Sequence, residues 1–257
     1  MTIAKHITFY FINTRIKFLN KIIAETNKYP YLTDIFIHTN SEYLLLLHLD
    51  KYTNGKIKII YHDLTGINPH YLTWKCRDLL KQQRHEYDIF MYIEDDILVP
   101  SKAIDYWITY NEKLIQKKYN LGFLRIEFGT DGTEYITDLQ TQLHTFALID
   151  KQMYCVNNIN PYCAFWIYNR QEFNRFVDSL YYDINNIIYR SRGEFIREKS
   201  AFGLHGLSTN WYINTLIPIT DKKLIEDCKI YHLGNNYVND DSNDYATIKF
   251  SEALKFD

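Results

Sequence analysis

Cysteine is scarce in this sequence, and its few copies are widely separated. Cys76, Cys155, Cys163 and Cys228 form no Cys-x-x-Cys pair. We therefore expect neither a zinc site nor a disulfide framework. Free thiols of this kind suit a reducing compartment.

Excess charge and long hydrophobic runs are also missing. The formal net charge is -2, which argues against a broad surface for nucleic acid or anionic membranes. The apolar run from Ile7 to Ile12 is too short to span a bilayer, and no small-residue cleavage pattern follows it. We predict a cytoplasmic protein with no transmembrane segment and no nucleic-acid partner.

Several sequence motifs of common enzyme classes are absent. The chain has no Gly-x-Gly-x-x-Gly and no Walker-type motif, which disfavours dinucleotide and P-loop chemistry, and it has no Gly-x-Ser-x-Gly. No stretch rich in proline, glycine or serine separates two parts of the chain, and no repeat is visible. For 257 residues we therefore predict one continuous domain.

Strand-like and helix-like segments alternate in the first hundred residues. This alternation predicts an α/β fold with a mostly parallel sheet flanked by helices. Tyr43–Leu49 fits either a helix or a strand. Beyond a helix from Ser101, its predicted N-cap, to about Lys118, short strands and turn signals predict a hairpin-rich second half. The predicted strands of the first half are 6–12, 34–38, 56–61 and 88–93, and the helices are 15–28 and 71–87.

Three consecutive carboxylates, Glu94, Asp95 and Asp96, end the apolar strand that begins at Asp88. In open α/β sheets ligands bind at the carboxyl ends of the strands. Adjacent carboxylates repel each other unless a cation or a donor-rich ligand neutralises them, and their hard oxygen atoms suit Mg²⁺ or Mn²⁺. The alternative is a strand that runs into an acidic, solvated loop.

This order of elements, with Tyr92-Ile93-Glu94-Asp95-Asp96 near residue 95, resembles the GT-A fold glycosyltransferases that use nucleotide sugars. The triplet corresponds to their Asp-x-Asp (DXD) motif. The resemblance implies a GT-A, Rossmann-like single domain, with a nucleotide-binding half over 1–100 and an acceptor-binding half over 101–257. It also implies that Asp96 binds Mn²⁺ or Mg²⁺ at the donor diphosphate, with Glu94 and Asp95 in supporting roles.

A second metal ligand in such enzymes is often a late histidine. His232 fits this role because a short apolar strand from Lys229 leads to it. His205 is the rival candidate. For either histidine, the alternative is a purely structural role.

Candidate donor contacts follow the first two strands and precede the triplet. The resemblance places nucleotide contacts at the ends of the first two strands, and Lys75 and Arg77 could reach a base or a phosphate. Trp166 and Trp211 are possible faces for sugar stacking, although a buried core role is the alternative for each. The candidates at the strand ends are Asn13, Thr14, Arg15 and Thr39.

An inverting transferase needs a general base for the acceptor hydroxyl. Glu194 and Glu198 lie four residues apart on one predicted helix face, where Arg197 and Lys199 would keep a carboxylate ionised. Glu198 is the first candidate and Glu194 the second, followed by Asp131 and Glu134. The same pattern also describes many exposed helices.

The sequence therefore predicts a metal-dependent glycosyltransferase. It would move a sugar from a nucleoside-diphosphate sugar to a hydroxyl of a glycan or another acceptor. The alternatives are a sugar-phosphate nucleotidylyltransferase, disfavoured by the lack of a glycine-rich loop after the first strand, and a nucleotide-binding module without turnover.

Overall fold

The computed structural model describes residues 1–43, 48–186, 196–206, 211–238, 240 and 242–256. The chain is an α/β protein with mixed sheets. It forms two compact units, the first comprising Met1–Ile97 and Ala164–Leu204 and the second Leu98–Cys163 and His205–Asp257. The boundary predicted between the two halves, at residues 100 and 101, lies close to the end of the first segment of the first unit at Ile97. The prediction did not include the second segment of that unit, 164–204.

The first unit contains five strands and five helices among its described residues. The strands are β1 (Thr2–Phe9), β2 (Leu32–Thr39), β3 (Ile57–Tyr61), β4 (Ile89–Glu94) and β11 (Phe165–Asn169). The helices are α1 (Ile16–Thr26), α2 (Leu72–Lys75), α3 (Arg77–Gln82), α5 (Arg170–Val177) and α6 (Ile196–Phe202), with 3-10 helices at Asn13–Arg15, Pro69–Tyr71, Leu180–Tyr182 and Ile184–Asn186.

The strands of this unit form one sheet in the order β11-β4-β1-β2-β3. Strands β4, β1, β2 and β3 are parallel, and β11 joins β4 antiparallel. Helix α1 connects β1 to β2 and buries one mainly apolar face. Helices α5 and α6 contact β4 and β11. The predicted parallel sheet is confirmed for four strands, and the antiparallel edge makes the sheet mixed.

A row of three histidines crosses this sheet. His6 Nδ1 lies 3.0 Å from His38 Nε2, and His38 Nδ1 lies 2.9 Å from His62 Nε2. His6 Nε2 is 3.0 Å from Oε1 of Gln83, which can only accept. His6 and His38 therefore donate from Nε2 and accept at Nδ1, and His62 donates from Nε2. Burial lowers the pKa of His6 to about 3 and also lowers the pKa of His38 and His62.

The second unit contains helix α4 (Ser101–Gln116) and two groups of strands. One group follows the order β13-β12-β10-β9, with β6 beside β12, and the other contains β15-β8-β7-β14. The strands are β6 (Asn120–Leu121), β7 (Leu124–Phe128), β8 (Glu134–Ile136), β9 (Phe146–Ile149), β10 (Gln152–Asn157), β12 (Thr215–Thr220), β13 (Lys223–Leu224), β14 (Lys229–His232) and β15 (Ile248–Lys249). The two-residue strand β5 (Ile97–Leu98) lies where the units divide, and 3-10 helices span Glu226–Cys228 and Phe250–Glu252.

Local details differ from the predictions at three places. Pro100, not Ser101, is the N-cap of α4, so the predicted cap is wrong. The helix predicted over 71–87 is two short helices that meet at Cys76. Most of the ambiguous segment 43–49 lies outside the described residues.

All four cysteines are buried as free thiols. Within the described part of the chain, no helix has the length and apolar character needed to cross a membrane.

Candidate functional site

The candidate site lies at the carboxyl ends of β1 and β4. From β1 the chain continues through α1 to β2 on one side, whereas β4 pairs with β1 on the other side. The strand order therefore reverses between β1 and β4. Loops that leave two neighbouring strands in opposite directions open a crevice at such a point, which is where open α/β sheets bind ligands.

The carboxylate triplet lies at the end of β4 and is largely buried. The residues Glu94, Asp95 and Asp96 are 6%, 9% and 7% exposed. Arg15, at the end of the 3-10 turn that follows β1, donates to both carboxylate oxygens of Asp95, at 2.8 and 2.5 Å. Its Nη2 also donates to Asp96 Oδ2 at 2.8 Å. An arginine from the end of the neighbouring strand thus supplies a positive charge that offsets the repulsion between Asp95 and Asp96.

A second arginine reaches the triplet from α6. Arg197 Nε lies 3.6 Å from Glu94 Oε2, and Arg197 Nη2 lies 3.9 Å from Glu198 Oε1. Arg197 therefore lies between one carboxylate of the triplet and the neighbouring Glu198. Burial raises the pKa of Asp95, and Asp96 raises it further, while the hydrogen bonds from Arg15 oppose the shift.

A cavity of about 190 Å³ opens beside the triplet. Thr8, Tyr10 and Arg15 line it from the β1 side, and Glu94 and Asp95 from the β4 side. The sequence predictions missed Thr8 and Tyr10. Thr8 pairs in register with Glu94, one residue before the end of β1. His70 and Thr73, also missed, line the cavity together with Ile12, Pro69, Leu72 and Arg197.

Some residues predicted to contact the nucleotide-sugar donor do not line this cavity. Asn13 and Thr14 are exposed in the turn before Arg15, and Lys75 is exposed on α2. Thr39 is buried at the end of β2, where its Oγ1 accepts the Ser41 backbone N–H at 3.3 Å. Of the predicted donor contacts, the structure brings Arg15, Glu94 and Asp95 together at the cavity.

Arg77 and Trp166 are core residues. Arg77 is 5% exposed, and its guanidinium carbon lies 4.7 Å from the centre of the Phe176 ring and 5.0 Å from that of Tyr182. The Trp166 side chain is 1% exposed. Both donate to the Ser200 carbonyl, at 2.9 Å from Arg77 and 3.1 Å from Trp166. Their side chains hold α6 against the aromatic core and offer no open face to a ligand.

His232 lies in the second unit and is fixed by a carboxylate. Its Nδ1 is 2.5 Å from Oε1 of Glu127, which is fully buried. Glu127 also accepts the backbone N–H groups of Asn236, Tyr237 and Val238, at 3.0, 2.8 and 2.8 Å. Burial alone would raise the pKa of Glu127, but the His232 and backbone hydrogen bonds outweigh it and lower the pKa. Because an ionised carboxylate can only accept, Nδ1 of His232 carries a proton.

The remaining candidates are scattered. Burial lowers the pKa of His205 to about 4. Asp131 accepts two hydrogen bonds from Thr133 in an exposed turn, and Glu134 pairs with Lys229. Trp211 is half-buried in the second unit. Glu194 lies outside the described residues.

The carboxylate oxygens of the triplet are of the kind that binds a divalent cation. Arg15 contacts both oxygens of Asp95 and Oδ2 of Asp96, so a metal at either carboxylate would share it with a guanidinium group. Histidines that bind metals usually donate their other ring nitrogen to a carboxylate, as His232 does to Glu127. Within the described residues, no three His, Cys, Asp or Glu side chains cluster as a preformed metal site.

The chain was compared with known proteins. No protein-family model matches it, and no curated protein is similar to it in sequence.

Proposed function

We propose that the protein is a GT-A glycosyltransferase that transfers a sugar from a nucleoside-diphosphate sugar to an acceptor hydroxyl, in the cytoplasm. One observation carries the proposal: the triplet, Arg15 and a cavity meet where the strand order reverses between β1 and β4. Such a point is the general ligand site of open α/β sheets. Arg15 holds Asp95 and Asp96 in place beside this cavity.

Asp96 is the residue that we propose to hold Mn²⁺ or Mg²⁺, and His232, in the second unit, remains the second ligand predicted from the sequence. The metal would stabilise the negative charge on the departing nucleoside diphosphate as a Lewis acid. Glu127 would orient the ring of His232 through Nδ1, as carboxylates beside metal-binding histidines do.

Glu198 is the proposed general base. It lies on α6 beside Arg197, with its side chain 28% exposed. Its Oε2 makes no hydrogen bond to any residue that the structure describes. A carboxylate at this position can accept the proton of an acceptor hydroxyl.

Binding is tested by a thermal-shift panel of nucleoside diphosphates with and without Mn²⁺. A ligand at a hundredfold excess over its Kd stabilises the folded state by about 2.7 kcal/mol. We expect one nucleotide to give a Mn²⁺-dependent shift that Asp96→Asn abolishes. The matched control is Asp63→Asn, an exposed aspartate of the same unit.

The histidine role is tested in the same panel. His232→Ala should weaken the Mn²⁺ dependence, and His205→Ala should not. A wild-type shift in Asp96→Asn contradicts the metal assignment, and the reverse result for the two histidines transfers the role to His205.

Turnover is tested by Glu198→Gln in a sugar-transfer assay with the nucleotide that binds. A positioned base contributes roughly 10²–10⁴-fold, so transfer should fall by that factor while the nucleotide-dependent thermal shift persists. Full activity in Glu198→Gln contradicts the assignment, and Glu194→Gln is then the next variant. Binding without donor consumption in the wild type identifies a binding module instead.

A further inference from the structure

The second unit contains its own cavity, which the proposed transfer chemistry does not use. Its volume is about 700 Å³, within the range of roughly 300–1,000 Å³ that is common for small-molecule sites. Three turns and the C-terminal segment form its walls. The residues that matter for its chemistry are Phe128, Glu134, Lys222, Lys223, Glu226 and Phe256.

A buried charged cluster adjoins the wall formed by Glu134, Glu226 and Phe250. Lys229 has a side chain that is 7% exposed, and its Nζ lies 2.6 Å from Oε2 of Glu134. The same ammonium group contacts Glu226 and lies 4.0 Å from the centre of the Phe250 ring. Burial alone would lower the pKa of Lys229, but the two glutamates reverse the effect and raise it. The cluster therefore keeps its charges and holds the carboxylates of Glu134 and Glu226 in place as hydrogen-bond acceptors.

Two phenylalanine rings form apolar parts of the wall. Phe128 and Phe256 are each 42% exposed and line the same cavity. Phe256 stacks on Phe146 with ring centroids 4.7 Å apart, and Phe128 stacks on Tyr231 at 5.5 Å. Each ring is thus held on one face by a neighbour and remains partly open on the other side.

Two exposed lysines stand at the rim of the cavity. Lys222 lies in the turn between β12 and β13, Lys223 is the first residue of β13, and Lys222 Nζ lies 5.9 Å from the centre of the Phe256 ring. Because Glu134 and Glu226 already pair with Lys229, Lys222 and Lys223 are the lining cations that can meet an anionic ligand. A ligand that complements this cavity therefore has an apolar face, several hydroxyl groups and a negative charge.

We propose that this cavity binds an acidic saccharide, meaning sugar rings that carry a carboxylate. The C–H face of a sugar ring packs against the open side of Phe128 or Phe256. Its hydroxyl groups donate to Glu134 and Glu226, and its carboxylate pairs with Lys222 and Lys223. This inference is independent of the transfer chemistry proposed for the first unit.

Isothermal titration calorimetry with tri-galacturonic acid tests the proposal, with maltotriose as the neutral probe. We expect saturable binding of the acidic trisaccharide and binding of maltotriose at least tenfold weaker. The double variant Lys222→Gln/Lys223→Gln should lose at least tenfold in affinity for the acidic probe. Phe128→Ala should lose a similar factor. Lys102→Gln/Lys113→Gln, on the exposed side of α4 in the same unit, removes the same charge and should bind like the wild type.

Three results overturn the proposal. The first is no saturable binding of the acidic trisaccharide to a wild type that melts cooperatively. The second is an equal loss of affinity in the Lys102/Lys113 control. The third is displacement of the trisaccharide by inorganic phosphate at equal affinity, which would show a general anion site. Melting temperatures of all variants, measured alongside, separate lost binding from lost folding.

Discussion

The β-sheet of the first unit and the strands around β7 in the second unit both bury ionisable side chains, but in opposite states. In the first unit, His6 and His38 are fully buried in the histidine row, and burial lowers the pKa of Lys5 to about 7. In the second unit, Arg125 and Asp138 form a buried bidentate pair at 2.9 and 2.7 Å. Burial alone would lower the pKa of Arg125, yet Asp138 raises it.

This difference has a physical consequence. A buried group that stays neutral responds to pH, because it gains a proton more readily once the chain unfolds. A buried ion pair responds little to pH near neutrality, but it cannot lose one partner without leaving an uncompensated charge. We therefore expect the histidine row to be sensitive to acid and the Arg125–Asp138 pair to single substitutions.

The largest effect is expected for Asp138→Asn. The substitution leaves the guanidinium group of Arg125 buried without its counter-charge, which typically costs about 3–5 kcal/mol of unfolding free energy. Urea denaturation measures the loss. The control is Asp178→Asn, which breaks an equally bidentate pair with Arg84 on the surface, where the side chain of Asp178 is 65% exposed. There the expected loss is about 0–1 kcal/mol. Similar losses in the two variants contradict the contrast between buried and exposed pairs.

A smaller loss is expected for Glu127→Gln. The carboxylate accepts from His232 and from three backbone N–H groups, and an amide can offer only one oxygen to these donors. Hydrogen bonds to charged groups contribute roughly 1.5–3 kcal/mol, so we expect a loss in this range in urea. Glu252→Gln, at an exposed position of the same unit, is the control. An unchanged free energy would show that the loop at 236–238 does not depend on the carboxylate.

The smallest effect is expected in the pH dependence of the histidine row. The pKa of a histidine is about 6.5 in the unfolded chain, whereas that of His6 is about 3 in the fold. Between these values the unfolded chain binds more protons. The free energy of unfolding must then fall as the pH falls, by about 1.4 kcal/mol per pH unit for each such histidine.

His38→Gln tests this slope because His38 is the middle residue of the row. We expect its free energy of unfolding to change less between pH 6.5 and pH 5 than that of the wild type. His85→Gln, at an exposed histidine, should keep the wild-type slope. Equal slopes in His38→Gln and the wild type would mean that the row is not neutral in the folded protein.

The sequence was informative where a pattern is local. The apolar run before Glu94 predicted the buried strand and the carboxylates at its end, since alternation and strand length depend on neighbouring residues. The contact of Arg15 with Asp95 was not predictable, because it depends on the pairing of β1 with β4 across a long separation. The order of the strands in the sheet was not predictable either, because the pattern of a single segment does not show which strands are neighbours.

Residues that combine charge with burial were the least predictable. The sequence made Arg77 a candidate contact to a phosphate, yet its guanidinium group lies among aromatic rings. Glu127 was not singled out, although two charged residues in Leu124-Arg125-Ile126-Glu127-Phe128 are a usable signal. Charges that alternate with apolar residues in a strand indicate that one face of the strand meets polar partners.

The return of residues 164–204 to the first unit has a consequence for the order of synthesis and folding. Strand β4 is complete once residue 94 has left the ribosome, but the edge that β11 covers must wait until Phe165–Asn169 are made. During that interval β4 presents unpaired backbone groups on an apolar strand, the kind of edge that other chains add to. The nascent chain can therefore pair with other chains at this edge until the residues of the second unit that precede β11 have been translated.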